Sequence, residues 1–334
     1  MKGWARAMNR LAAIFSCALA ALCCAAPVAA ASTVRVSLSA STDHPYNVGA
    51  VKFKEVLERE SKGEIKVQIF NNSQLGDESA SLEAVRTGSL EFAEHLTSLA
   101  ASAYGEPQVG AWALPFLYPN SESAWKAWDS PAAVRSYAAF DKKGFKCIAR
   151  WDAGFRELSS SKPVNSLADV KGLRLRTPAG KIYIDTWKAL GAAPVPMAIT
   201  ELYTALQTGV VSGTELPLQA ILSYKYYEVQ KSDAMLNYID DPICFSVSAK
   251  YYDSLSRDLQ KAVMDAAAAS SGAERQAAAT QAGAAVARIK QLGMTVTQPD
   301  LTEFRKAVAP VYDDFYKANG PDSRALVQQI QRSM

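Results

Sequence analysis

Short runs in which apolar and polar residues alternate recur along this chain, separated by stretches with helical spacing. The runs TVRVSL (33–38), IKVQIF (65–70), LEFAE (90–94), FKCIARW (145–151) and PICFSVS (242–248) read as strands, because successive strand side chains point to opposite faces. Residues 47–61, 79–88, 121–128, 131–142, 181–190 and 200–209 read as helices, with glycines such as Gly63 and Gly191 at their ends. Strand, helix, strand, helix, strand is the order of a parallel α/β sheet. A second set of this kind follows Gly154, with strands at 173–176 and 210–214 and a short segment at 194–197 between them. The stretch 256–292 has no proline and many alanines, and reads as one helix of about 35 residues, roughly 50 Å long. A helix running along two lobes accounts for that length, and the tail at 302–334 reads as mostly helical.

The stretch KGLRLRTPAG (171–180) carries the first chemical signal. Leu173 and Leu175 share one face of the strand, and Arg174 and Arg176 share the other. Pro178 ends the strand, so Arg176 sits at its carboxyl end, before a turn into a helix. In open α/β sheets ligands bind at such ends. Two ordinary surface arginines would fit the same stretch, and by itself it leaves both readings open.

Residues 1–31 look like a cleavable secretory signal, with Lys2, Arg6 and Arg10 ahead of an apolar run and small residues at 27–32. Cys23 and Cys24 lack the small residue that a lipidation site carries before its cysteine. The chain is formally +3, and the signal holds three of the positive charges. The remaining chain is near neutral, so no basic field favours nucleic acid. Cys147 and Cys244 remain after cleavage. We expect two buried free thiols, with a disulfide left open should the two strands be neighbours. With two histidines and no Cys-x-x-Cys, neither a metal site nor a cofactor is expected. Roughly 300 residues exceed one ordinary core and suggest two lobes.

Six phrases, KVQIFNNSQLGDE, EAVRTGSLEF, LPFLY, GFRELSSSKPVNSLADVKGLRLRTP, LGAAPVPM and ELYTALQTGVVSGTE, occur in this order. Together they resemble the extracytoplasmic solute receptors of tripartite ATP-independent periplasmic (TRAP) transporters, of the dicarboxylate-receptor type. The resemblance implies a bilobed α/β Venus-flytrap fold, with lobes joined by crossing strands and a long spanning helix. We expect one lobe from 32–152 plus 242–282 and the other from 153–241 plus 283–334. It also implies a periplasmic, monomeric, non-enzymatic receptor that passes a small organic acid to a permease with a small and a large membrane subunit. The family's carboxylate-binding arginine corresponds to Arg176, whose planar guanidinium grips a carboxylate through two parallel hydrogen bonds. A second family arginine corresponds to Arg156; an ion pair with Glu157 or Asp152 is its structural alternative.

The chain departs from the family where an asparagine is replaced by Leu216 and an aromatic by Ile199. Both changes make the pocket more aliphatic and favour a small 2-oxo or 2-hydroxy acid or dicarboxylate over sugar acids. Strand ends add His44, Glu94, Trp151 and Asp241 as cleft candidates, with Asp43, Tyr46 and His95 beside them. Glu215 is expected to buttress the site, and Tyr224, Tyr226 and Tyr227 to serve as core and rim. A sensory receptor would use the same binding chemistry. An exported enzyme would need a nucleophile and base, and no Gly-x-Ser-x-Gly or His-Glu-x-x-His is present.

Overall fold

The structure, a computed structural model, describes residues 31–334; the leader expected at the N-terminus lies outside the described residues. Among the described residues there are eleven strands: β1 (Ser32–Ser37), β2 (Ile65–Phe70), β3 (Phe92–Leu96), β4 (Phe145–Asp152), β5 (Arg156–Ser160), β6 (Arg174–Thr177), β7 (Ala193–Pro196), β8 (Gly213–Pro217), β9 (Ser232–Ile239), β10 (Pro242–Ser248) and β11 (Thr295–Thr297). They form two sheets, ordered β2-β1-β3-β10-β4 and β11-β9-β5-β8-β6-β7. The chain therefore changes sheet three times: by short connections between β4 and β5 and between β9 and β10, and by way of a long helix between β10 and β11. These crossings join the lobes.

Several elements differ from the pattern reading. β3 and β8 begin two and three residues later than expected. β5, β9 and β11 were not anticipated; in β5 and β9 buried polar residues such as Glu157, Ser159 and Asp233 mask the strand character, and β11 is only three residues long. The tail, expected with the second lobe, packs its last helix (Pro321–Arg332) on 107–113 and 131–137 of the first. Phe304, Val308, Phe315, Val327 and Ile330 supply the apolar face that buries it in the main core.

The long helix spans Arg257–Gln291, with Ser256 capping its first turn by accepting a hydrogen bond from the Leu259 amide. Its Val263, Ala266 and Ala267 lie in the core that contains β1, β3 and β10. Its Ala285 and Ile289 lie in a separate core with Leu202, Leu216 and Ile221. One element thus contributes to both lobes. Small residues let it approach closely: a Cβ at Gly49, in the helix Pro45–Glu60, would sit 2.9 Å from the Glu274 Cβ.

β10 lies between β3 and β4, antiparallel to both. That placement corrects the expectation of free thiols: Cys147 on β4 and Cys244 on β10 form a disulfide, with their Cα atoms 5.4 Å apart. The loop it closes is long, so the cross-link restricts the unfolded chain strongly. Replacing both cysteines with serine is expected to lower unfolding free energy by about 2–5 kcal/mol, read from urea midpoints. Midpoints equal to wild type would show that the bond adds no stability.

Asp233 on β9 is fully buried, and neither carboxylate oxygen has a hydrogen-bond partner among the described residues. Burial pushes its pKa up to about 8. The native state therefore holds a proton that the unfolded state gives up near pH 4. This contribution is full below that pH and is lost as pH rises toward 8, at about 1.4 kcal/mol per unit. Asp233→Asn should flatten that part of the stability–pH curve; an unchanged slope would place the titration elsewhere.

Candidate functional site

A cavity of about 250 Å³ opens between the two lobes. Its second-lobe wall comes from strand ends and the turns after them. Arg156 begins β5, Arg176 lies in β6, and Leu216 and Pro217 end β8. Met197, Ala198 and Ile199 follow β7. The first-lobe wall holds Ser39 after β1, His44 and Tyr46, Asp77 with Glu78 and Ser79 at the start of the helix Glu78–Thr87, Leu96 at the end of β3 and Leu99 after it.

The two arginines are nearly inaccessible, at 3% exposed for Arg156 and 4% for Arg176, yet differ in their partners. Arg156 Nε and Nη2 both donate to the Glu215 carboxylate, and Nη2 donates also to the Glu215 carbonyl oxygen at 2.7 Å. Tyr238 donates its hydroxyl to the same carboxylate, and Trp187 Nε1 donates to Tyr238 at 2.9 Å. The Arg156 guanidinium lies over the Tyr183 ring, 4.9 Å from its centre. Burial opposes the Arg156 charge, but Glu215 more than offsets it and the pKa rises well above the ordinary value. The partner is thus Glu215, rather than Glu157 or Asp152.

Arg176 has no carboxylate bonded to it among the described residues. Its Nε and Nη2 donate to one neutral acceptor, the Met197 carbonyl oxygen, at 3.1 and 2.9 Å. Nη1 has no protein partner among the described residues. Burial pulls its pKa below the ordinary arginine value; the charge of Glu215 opposes that drop and the charge of Arg156 adds to it, and burial prevails. A buried cation in this state gains from any anion that reaches it. Arg174, one pleat earlier, is exposed.

The other candidates divide. Ile199, Leu216 and His44 line the cavity. His44 also caps the helix after β1, accepting from the Tyr46 amide at 3.3 Å. Burial holds its pKa down at about 4, so at neutral pH it carries no charge. Glu94 stands behind the wall, accepting the Ser39 amide and hydroxyl at 2.6 and 2.5 Å. Trp151 faces the long helix, donating to Ser270 at 3.1 Å and stacking on Phe245. Asp241 lies in the β9–β10 crossing, outside the cavity lining. His95 is a core residue bonded to Ser246 at 2.8 Å. Buried Arg275 is likewise structural, paired with Asp129 and with the Arg150 carbonyl oxygen.

Sequence reasoning missed Ser39, Asp77, Glu78 and Ser79, and assigned Tyr224 to core and rim although it lines the cavity. The LGDE phrase after the second strand was a usable signal, since it too follows a strand's carboxyl end. Burial, then the charge of Glu94, pushes the Glu78 carboxyl up to about 8, while Arg176 and Arg156 oppose that rise.

Two α/β lobes, two crossing connections, a spanning helix and a cationic cleft define a bilobed solute-binding protein. The chain belongs to the bacterial extracellular solute-binding proteins, family 7, whose model matches residues 36–319. It is 34% identical over 301 residues to the sialic acid-binding periplasmic protein SiaP of Vibrio cholerae, covering 89% of this chain and 92% of that one. A TRAP periplasmic solute binding protein from Bordetella bronchispeptica, with density assigned to pantoate, superposes with a TM-score of 0.87 at 32% identity. That match covers 91% of this chain and 99% of the other. A second, from Polaromonas sp. JS666 and bound to D-erythronate, gives 0.86 at 30% identity over 90% and 98% of the chains. The protein is thus a periplasmic, non-enzymatic receptor for a small organic acid, and its membrane partner is a TRAP permease.

Removing Glu215 would strand the buried Arg156 charge. Glu215→Ala should cost about 3–5 kcal/mol in urea unfolding, and Arg156→Met with Glu215→Met should recover most of it. A loss below about 1 kcal/mol for Glu215→Ala would show that the pair does not support the site.

Proposed function

We propose that the cleft captures a compact monocarboxylate or small dicarboxylate through the free edge of Arg176, with Arg156 as the second contact. The observation that carries this reading is the asymmetry between the arginines. Arg156 is bonded to a carboxylate, whereas Arg176, among the described residues, hydrogen-bonds only the Met197 carbonyl oxygen. An acid entering the cleft supplies the missing anion, and each charge-assisted bond contributes about 1.5–3 kcal/mol.

The walls narrow the class of acid. Leu96, Leu99, Ile199 and Leu216 present aliphatic surface. A hydroxyl or oxo group beside the carboxylate meets Arg156, and an apolar portion meets Ile199 and Leu216. Ser39, Tyr46, Glu78 and Tyr224 add polar groups to the lining and suit one or two further hydroxyls. Pantoate and D-erythronate, the acids named for two similar structures, are of this size and type. Long uronic acids fit the aliphatic walls less well.

A thermal-shift panel of succinate, pantoate, D-erythronate and D-glucuronate on ligand-stripped protein tests the reading. An acid at a hundredfold excess over Kd stabilises by about 2.7 kcal/mol. Arg176→Ala should abolish the shift, and Arg176→Lys should weaken binding at least tenfold because the paired bonds are lost. Unchanged binding by Arg176→Ala would overturn the assignment, and D-glucuronate as the tightest acid would overturn the size and polarity argument.

A further inference from the structure

We propose that Asp241 and Tyr183 form a latch that ties ligand-facing Arg156 to the first lobe and holds the lobes closed on a bound solute. The inference rests on the carboxylate-cleft reading and assigns its closing contact. Asp241 Oδ2 accepts three hydrogen bonds: from Ser98 Oγ at 2.5 Å, from the Ser98 amide at 3.4 Å and from the Tyr183 hydroxyl at 2.9 Å. Ser98 lies in the helix Thr97–Ala103, which follows β3 of the first sheet. Tyr183 lies in the helix Lys181–Ala189, which follows β6 of the second. Asp241 occupies the crossing between β9 and β10. One carboxylate oxygen therefore bridges both lobes from the connection about which they turn.

The bridge is buried: Ser98, Tyr183 and Asp241 are each at most 2% exposed. Its second-lobe end reaches the ligand site, since the Tyr183 ring lies beneath the Arg156 guanidinium. The same two helices meet again where the Lys181 amide donates to Ser102 Oγ at 3.0 Å. A Cβ at Gly180 would stand 3.1 Å from Ser98 Oγ and 3.1 Å from the Tyr183 ring, so glycine permits the approach. Leu96 and Leu99 on one side and Pro178 and Ala179 on the other line the ligand cavity. The seam thus runs directly behind the cavity wall.

Parting the lobes here breaks bonds to a charged acceptor and leaves it short of partners in a poorly solvated place. A ligand held on Arg156 fixes the guanidinium over Tyr183 and so favours the bridged arrangement. Ser98 and Tyr183 are positioning residues in this scheme, acting through Asp241 and Arg156 without touching the solute.

Two mild variants test it from opposite lobes. Tyr183→Phe keeps the ring under Arg156 and removes the hydroxyl; Ser98→Ala removes the first-lobe hydroxyl. Stopped-flow intrinsic fluorescence with succinate, pantoate, D-erythronate and D-glucuronate measures association and dissociation separately. For each acid that binds, both variants should dissociate at least fivefold faster, with association within twofold of wild type. The double variant should match the weaker single variant within twofold, because both changes break one bridge. Unchanged dissociation, slowed association alone, or multiplying effects would overturn the latch while the Arg176 reading stands. Failure of all four acids to bind wild-type protein would overturn the carboxylate reading and the latch with it.

Discussion

The Arg156–Glu215 pair sets the electrostatics of the cleft. Two buried guanidiniums in one small cavity repel each other and both lose solvation. Glu215 bonds one of them directly, assisted by Tyr238, and acts on the other, Arg176, only through space. The charge balance of the cleft is thus built into β5, β6 and β8. Surface salt bridges elsewhere on the molecule, such as Lys126–Glu122, add little by comparison.

The architecture explains how this balance is used. Both arginines belong to the second sheet, while Ser39, Tyr46 and Glu78 come from the first lobe. A solute must touch both halves, and the halves connect through two short crossings, the long helix and the tail. The disulfide holds β4 to β10, so the first-lobe ends of both crossings are fixed to each other. Rigid lobes and a few turning residues are the elements of hinge closure.

Much of the fold and part of the site could be read in the sequence, for physical reasons that differ by residue. The two-lobed α/β plan followed from the order of alternating and helical segments, and the spanning helix from 35 residues without a proline. Arg176 and Arg156 stood out because each sits within a continuous phrase at a strand end. β5 and β9 were hidden because buried Ser, Asp and Glu take the place of apolar residues. The Cys147–Cys244 bond depended on β10 returning between β3 and β4, which local pattern does not reveal. Strand-end position alone was a poor guide to side-chain direction. Trp151, Glu94 and Asp241 were all expected at such ends, yet the first packs on the long helix, the second lies in the middle of β3 and binds Ser39, and the third lies between β9 and β10 and bridges Ser98 and Tyr183. The first-lobe wall was illegible for a related reason: its residues come from separate loops that only the sheet order brings together.

The central claim is that a solute carboxylate completes the coordination of Arg176. A crystal structure of the protein with the panel acid that binds most tightly tests this most directly. The account predicts a carboxylate oxygen within about 3 Å of Arg176 Nη1, with the Met197 carbonyl contact kept and Glu215 still on Arg156. An acid bound with its carboxylate away from Arg176, or an Arg176 that has turned to pair with a protein carboxylate, would contradict it.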